Sequence, residues 1–458
     1  MIDTTRIEIE QLLQKQRMYF NAGKTKDIQF RLESLKKLYA AILKYEKRIT
    51  DSLWEDLHKS KEESYLTEIS IVLQEIRYHI RHLKGWAKND RVRTPLKLFP
   101  SKSEIVKEPL GVSLIIAPWN YPFYILMNPL VGSISAGCCT ILKPSPSTPN
   151  VASVMEEFIR ETFEDNFIGV VQGGREVNKI LLEQKFDLIF FTGSSAVGKV
   201  VMKAAAEHLT PVILELGGKS PCIVEKDANL DIAAKRIVWG KSINAGQTCI
   251  APDYLFVHEN VKEELLEKMK QALEEMFGQD AQQSNFYARI VNEEAFSRLT
   301  DLLNEGKVRY GGIVNGSQKY ISPTIIDEVR PEFKMMKEEI FGPLLPVMTF
   351  SNVEEAISYI NAREKPLAFY YFGSNKNAKL ILSKISSGGA CVNDVLLHIA
   401  NHHLPFGGVG NSGFGKYHGK ESFLAFSNRR SVITSSTRVD FPFKYVPFKY
   451  FKFLKKVV

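Results

Sequence analysis

A chain of 458 residues is longer than one hydrophobic core organises, so two or three lobes are expected. Hydrophobic residues make up 44% and charged residues 24%, which excludes a disordered or fibrous chain. The net charge of +8 gathers at the C-terminus, where Arg438, Lys444, Lys449, Lys452, Lys455 and Lys456 face Asp440 alone, so a local tail effect is expected and not a nucleic-acid-binding surface.

The N-terminus, MIDTTRIEIEQLL, is polar and acidic with no apolar core, so no secretory signal is expected. Residues 5 to 88 carry Leu, Ile, Lys and Glu at helical spacing, and Leu32, Leu35, Leu38 and Ile42 form a core-facing stripe. Asn89 to Lys107 turns polar, with two prolines and alternating apolar residues, and predicts a protruding strand or hairpin. From Pro109 to Leu142 there is no charge, a run long enough to cross a bilayer. Pro118, Pro122, Pro129, Asn120 and Asn128 interrupt it, so a strand, a turn and a buried helix are predicted instead.

From Gly111 to Glu215, apolar runs at 112–116, 140–143, 168–172, 187–191 and 212–215 alternate with helical patterns near 122–136, 148–163, 175–183 and 195–208. That alternation predicts a parallel sheet with crossover helices. A second α/β pattern follows Gly218, with strands at 221–225, 254–258, 367–373 and 388–393 and amphipathic helices at 261–276 and 292–304. Glycine-rich loop character returns from His402.

Cys249 closes the small, polar run Asn244-Ala245-Gly246-Gln247-Thr248, and Glu215 lies 34 residues earlier at the end of an apolar strand before Gly217 and Gly218. A thiol and a carboxylate on separate tight turns suit covalent catalysis at a carbonyl carbon. The polar approach to Cys249 predicts a lowered thiol pKa, against the alternative of an inert buried cysteine. Partial burial predicts a raised pKa for Glu215, suited to a base. Asn120, between Pro118 and Pro122 at a strand end, is either a donor to an oxyanion or a turn asparagine. Lys143, at the carboxyl edge of a parallel strand before Pro144 and Ser145, points to a ligand crevice or to solvent. The run Thr192-Gly193-Ser194-Ser195-Ala196-Val197-Gly198 suits a phosphate at a helix start, and equally a plain strand-to-helix turn. Before Ile340-Phe341-Gly342-Pro343, Glu338 and Glu339 read on their own as a helix-terminal acidic pair. His398, His402, His403 and His418 have no partner at ligand spacing, so no metal site is predicted. Cys138, Cys139, Cys222, Cys249 and Cys391 form no disulfide-like pattern, which predicts a reduced, cytoplasmic protein.

Taken together in this order, PWNYP, KPS, FTGS, ELGGK, NAGQTC, EEIFGP and PFGG resemble the aldehyde dehydrogenase superfamily over nearly the whole chain. The context GQTCIAPDY and the ending GNSGFGKYHGK look most like its class 3, fatty and aromatic aldehyde, branch. The resemblance implies an α/β fold, with a Rossmann-type parallel-sheet cofactor domain (1–88 and 108–217), an α/β catalytic domain (218–400) and a β oligomerisation arm (89–107 and 421–440). Residues 401–420 would form an active-site loop region and 441–458 a basic aromatic tail. It implies NAD(P)-dependent oxidation of apolar aldehydes to acids through a cysteine thiohemiacetal and thioester. Cys249 would be nucleophile, Asn120 oxyanion donor and Glu215 the base that activates water. Lys143, Ser145, Gly193, Ser194, Gly198, Glu339 and Phe341 would meet NAD or NADP, and Tyr121, Trp239 and Phe406 would line the substrate tunnel. A homodimer is implied as well.

Many NAD-preferring relatives carry a glutamate three residues after the lysine of KPS; here that position is Pro146, which implies tolerance of NADP. The tail interleaves seven aromatic residues from Phe441 to Phe453 with lysines, and a helix from about Pro447 would cover a partner's tunnel mouth or touch the inner face of an anionic membrane. Two rivals stand beside hydrolytic oxidation, an acylating enzyme that hands its acyl group to coenzyme A and a scaffold on a retired enzyme fold; Glu215 and the intact Asn120–Glu215–Cys249 set speak against them.

Overall fold

The structure is a computed structural model that describes residues 3–448, 450–452 and 455. The N-terminal segment up to Trp86 is helical as predicted, with helices Arg6–Asn21, Ile28–Leu57 and Ser70–Trp86. A capping box starts the first: the Thr5 hydroxyl accepts from Glu8 N, and the Glu8 carboxylate accepts from Thr5 N. Leu32, Leu35, Leu38 and Ile42 are all buried on the second helix, the stripe the spacing predicts.

The first sheet runs in the order Gly413–Phe414, Val212–Leu216, Leu188–Gly193, Val112–Ile116, Cys139–Lys143, Ile168–Val170. Its last five strands are parallel, and Gly413–Phe414 joins antiparallel, with Gly413 opposite Glu215. Chain order reverses between Val112–Ile116 and Leu188–Gly193, so the carboxyl ends of those strands flank a topological switch point, where open α/β sheets bind ligands. The edge strand stops at Val170, short of the predicted 172, because Gln172 leaves the ladder: its N–H donates to Thr4 Oγ1 and its carbonyl accepts from Thr4 N.

The charge-free run folds into strand Val112–Ile116, a turn, and helix Tyr124–Ala136, every residue of which is buried. Among the described residues no helix is long and apolar enough to cross a membrane.

A second sheet follows the order Lys307–Tyr310, Thr324–Asp327, Leu344–Phe350, Tyr254–His258, Pro221–Val224, Ala368–Phe372, Gly389–Val392, parallel apart from its first strand. The third sheet is antiparallel and exposed. The predicted hairpin is present as Asp90–Val92 against Lys102–Pro109, and Ser427–Thr434 pairs along the other side of Lys102–Pro109.

In the tail, Pro442–Lys444 form a short 3-10 turn. Lys449, Phe453, Leu454 and 456–458 lie outside the described residues, and with them half of the helix predicted from Pro447.

Candidate active site

Asn120 sits just beyond strand Val112–Ile116 and is 2% exposed. Its Nδ2 donates to Gln247 O at 3.0 Å, and its own carbonyl accepts from Asn244 Nδ2 at 2.7 Å and Lys59 Nζ at 3.2 Å. Lys59 is fully buried and paired with Glu68 at 2.6 Å; the other Glu68 oxygen accepts from Phe123 N and Tyr124 N. A buried ion pair therefore anchors the turn that presents the amide.

The cysteine loop is held in an unusual backbone. Asn244 and Ala245 have φ of 52° and 50°, conformations that side chains with a Cβ rarely adopt and that persist only under outside constraint. The constraint is visible. Gln247 Nε2 donates to Asn244 O and Arg289 O, and its Oε1 accepts from Val291 N. Glu63 accepts from Asn244 N at 2.8 Å. A Cβ on Gly246 would lie 2.2 Å from Gly342 O, so this loop and the turn after Phe341 are in direct backbone contact. The loop leaves Cys249 half-buried beside Thr248, whose hydroxyl hydrogen-bonds Tyr121 Oη at 2.7 Å.

Glu215 lies near the end of strand Val212–Leu216, 3% exposed, with no hydrogen-bond partner on either oxygen. Burial pushes its pKa well up, opposed by the Lys416 ammonium. The expectation for Cys249 is overturned. Its thiol is pushed up, first by burial and then by the facing carboxylates of Glu339 and Glu215, and the N–H groups of Cys249 and Ile250 only partly offset this. The polar local sequence suggested an easy thiolate; in the fold, burial and two facing carboxylates oppose it. Asn120 is held to the cysteine loop through Gln247 O, two residues before Cys249, and the charges of Glu339 and Glu215 act on the Cys249 thiol.

Around the switch point, Gly193 ends its strand and Ser194 caps helix Ser195–Ala206, its hydroxyl accepting from Val197 N. A Cβ on Gly198 would lie 2.6 Å from Leu216 Cδ2, which fixes a small residue where this helix meets the sheet. Glu339 is half-buried, and burial, then Asp253, raises its pKa to about 8. A Cβ on Gly217 would lie 2.0 Å from Glu339 Oε2. Phe341, with φ 51°, sets its ring edge-on to Trp119 at 5.3 Å.

A cavity of about 800 Å³ opens here, lined by Ser195, Gly217, Gly218, Lys219, Glu339 and Asn411 among others. Lys143 and Ser145 do not line it; they stand at the end of the next-but-one strand. Lys143 is 1% exposed, donates to Pro144 O, and has its pKa lowered to about 8 by burial, with Asp3 opposing. Ser145 Oγ accepts from Ser147 N, and Pro146 is exposed. A helix start, a carboxylate against glycine and a buried cation are donors and acceptors that fit the phosphates and ribose hydroxyls of a dinucleotide.

Tyr121 and Phe406 are buried, and Phe406 stacks on His418 at 5.3 Å and His398 at 5.8 Å. Trp239 is 37% exposed. Sequence reasoning missed the supporting groups. Lys59, Glu63 and Glu68 come from a helical segment far from any motif. Lys241 is buried with its Nζ unpartnered, and burial lowers its pKa to about 8. Lys416 lies in the quoted ending, but only the pairing of Gly413 with Glu215 shows what it faces.

The family profile "Aldehyde dehydrogenase family" matches residues 2–432. The chain is 49% identical over 451 residues to a 4,4'-diaponeurosporen-aldehyde dehydrogenase of Staphylococcus aureus (strain NCTC 8325 / PS 47), covering 98% of both. It is 45% identical to a canine (Canis lupus familiaris) aldehyde dehydrogenase named dimeric NADP-preferring, covering 93% of this chain and 94% of that one. Among solved structures, the substrate-bound state of Staphylococcus aureus AldH superposes with a TM-score of 0.96 at 48% identity, covering 98% of this chain and 99% of that one.

Proposed function

This chain belongs to the aldehyde dehydrogenase family, and from that premise we propose which of its residues perform NAD(P)-dependent aldehyde oxidation. Cys249 is the nucleophile. Its proton passes to Glu215, whose raised pKa places it closer to the working range of a base than an ordinary carboxylate. The sulfur attacks the aldehyde carbon, and the resulting alkoxide is met by the Cys249 N–H and the Asn120 amide. Ser194, Glu339 and Phe341 would hold NAD(P), which would supply the two-electron acceptor needed to take the thiohemiacetal to a thioester. Glu215 then loses the thiol's proton to solvent and, as a carboxylate again, takes a proton from water; the new C–O bond forms, the C–S bond breaks with its electron pair on sulfur, and Glu215 returns its proton to Cys249 as the acid leaves.

One observation carries this reading: a carboxyl 3% exposed and unpartnered, whose charge reaches the thiol. The test follows reduced nicotinamide absorbance with an apolar aldehyde, with and without coenzyme A, in wild type and Cys249→Ala. Turnover without coenzyme A, lost in the variant, is expected. Dependence on coenzyme A would point to the acylating rival, and undiminished turnover in Cys249→Ala would end the proposal.

Long or aromatic apolar aldehydes are the proposed substrates. Tyr121 and Phe406 offer buried rings for them, with Trp239 at the mouth, and a relative named for 4,4'-diaponeurosporen-aldehyde supports that class. Lys143 and Ser145 are proposed to meet the adenosine ribose. A homodimer through the exposed sheet of Asp90–Val92, Lys102–Pro109 and Ser427–Thr434 is proposed too, supported by a relative named as dimeric. Exposed Tyr445, Phe448, Tyr450 and Phe451 beside Lys444 and Lys452 suit contact with an anionic membrane surface from the cytoplasm.

A further inference from the structure

Lys416 lies three residues after the point where Gly413 pairs with Glu215, and one before Tyr417, which bridges back to Phe406. The loop between those pairings brings Gly407 against both side chains. A Cβ on Gly407 would lie 2.7 Å from Glu215 Oε1 and 3.0 Å from Lys416 Cδ, so the lysine stem and the carboxylate share one small space. The Lys416 Nζ donates to Gly407 O and to Gly388 O. An ammonium has three donors. Two are spent on backbone carbonyls, and the third is left for a carboxylate that has no partner at all.

We infer that Lys416 is a positioning residue for the water-activating base: its ammonium sets the ionisation of Glu215 and thereby the lower pH limit of thioester hydrolysis. This rests on the reading of Glu215 as that base.

The other titratable groups facing Glu215 cannot do this. Cys249 from its loop, Tyr124 from the buried helix and Tyr417 from the closing segment are all held in their neutral forms by burial. The Lys416 charge is the one that opposes the burial of Glu215, and Glu215 in turn raises the Lys416 pKa against its own burial. An opposite charge within about 4–6 Å shifts a carboxyl by about one unit or more.

The experiment acylates the enzyme with one equivalent of an apolar aldehyde and excess NAD, then follows decay of the acyl-enzyme by mass spectrometry between about pH 5 and about pH 9. Lys416→Met should move the acid limb of the decay rate upward by about one pH unit, a tenfold loss on the limb, and Lys416→Arg should restore it. A limb that stays in place in Lys416→Met, with decay slowed equally at every pH, would show that the lysine only staples Gly388 to Gly407 and would overturn the inference. Glu215→Gln separates the two levels. If it hydrolyses the acyl-enzyme at the wild-type rate, the base itself is misassigned; if it stalls while Lys416→Met keeps the wild-type limb, only the role of Lys416 falls.

Discussion

Glu215 has neither solvent nor a hydrogen bond to stabilise its charge, and this sets up an exchange of stability for reactivity. Ionising it in the fold costs more than ionising it in the unfolded chain, so its folded pKa is the higher of the two. Stability is therefore intact below the ordinary carboxylate range and is lost as pH rises through that range toward the folded value. Glu215→Gln should slow acyl-enzyme hydrolysis by about 10²- to 10⁴-fold. The same variant should melt higher than wild type, by a margin that widens from about pH 5 to about pH 9 in thermal scans. A constant margin would mean that Glu215 carries the same charge folded as unfolded across this range, so that burial has not raised its pKa. Pro146 bears on the cofactor: no carboxylate there repels a 2′-phosphate. Steady-state kinetics should show NADP well used; an efficiency about a thousandfold below that with NAD, about 4 kcal/mol, would reject this.

At the scale of elements, the site depends on close backbone approaches and on one buried ion pair. Gly217 lets the Glu339 carboxylate lie against the chain after strand Val212–Leu216. Gly217→Ala should push Glu339 aside and weaken NAD binding, read directly by titrating protein fluorescence with the dinucleotide; unchanged affinity would remove Glu339 from the cofactor's contacts. Lys59 and Glu68 are both fully buried, and Lys59 also holds the Asn120 carbonyl. Lys59→Met strands the Glu68 charge, so urea unfolding should show a loss of about 3–5 kcal/mol, far beyond a surface pair. A loss below about 1 kcal/mol would show that the helix N–H groups at Phe123 and Tyr124 satisfy Glu68 unaided.

At the scale of the whole molecule, strand Ser427–Thr434 of the third sheet and the tail residues Tyr445, Phe448, Tyr450 and Phe451 are largely exposed in the single chain. Deleting residues 441–458 should change either the preferred aldehyde chain length, read from kcat/KM across a homologous series, or the fraction recovered with anionic vesicles. The first outcome places the tail over a tunnel and the second on a lipid surface; no change in either removes both roles.

Period and punctuation made the fold legible: continuous apolar strands alternating with amphipathic helices, cut by Gly and Pro, specify parallel sheets whatever surrounds them. The residues at the strand ends were legible for the same reason, since Asn120, Lys143, Gly193 and Glu215 follow directly from where each strand stops. What only tertiary structure decided is their ionisation. The run before Cys249 is polar, yet the thiol is driven toward its neutral form, because desolvation and Coulomb fields are set by groups that arrive from elsewhere in the chain. Glu339 reads alone as a helix-end acid and becomes a pocket carboxylate only once Gly217 is packed against it. Lys59, Lys241 and Lys416 carry no local mark, since a lysine's fate depends on whether distant segments bury it, and sequence spacing holds no record of that.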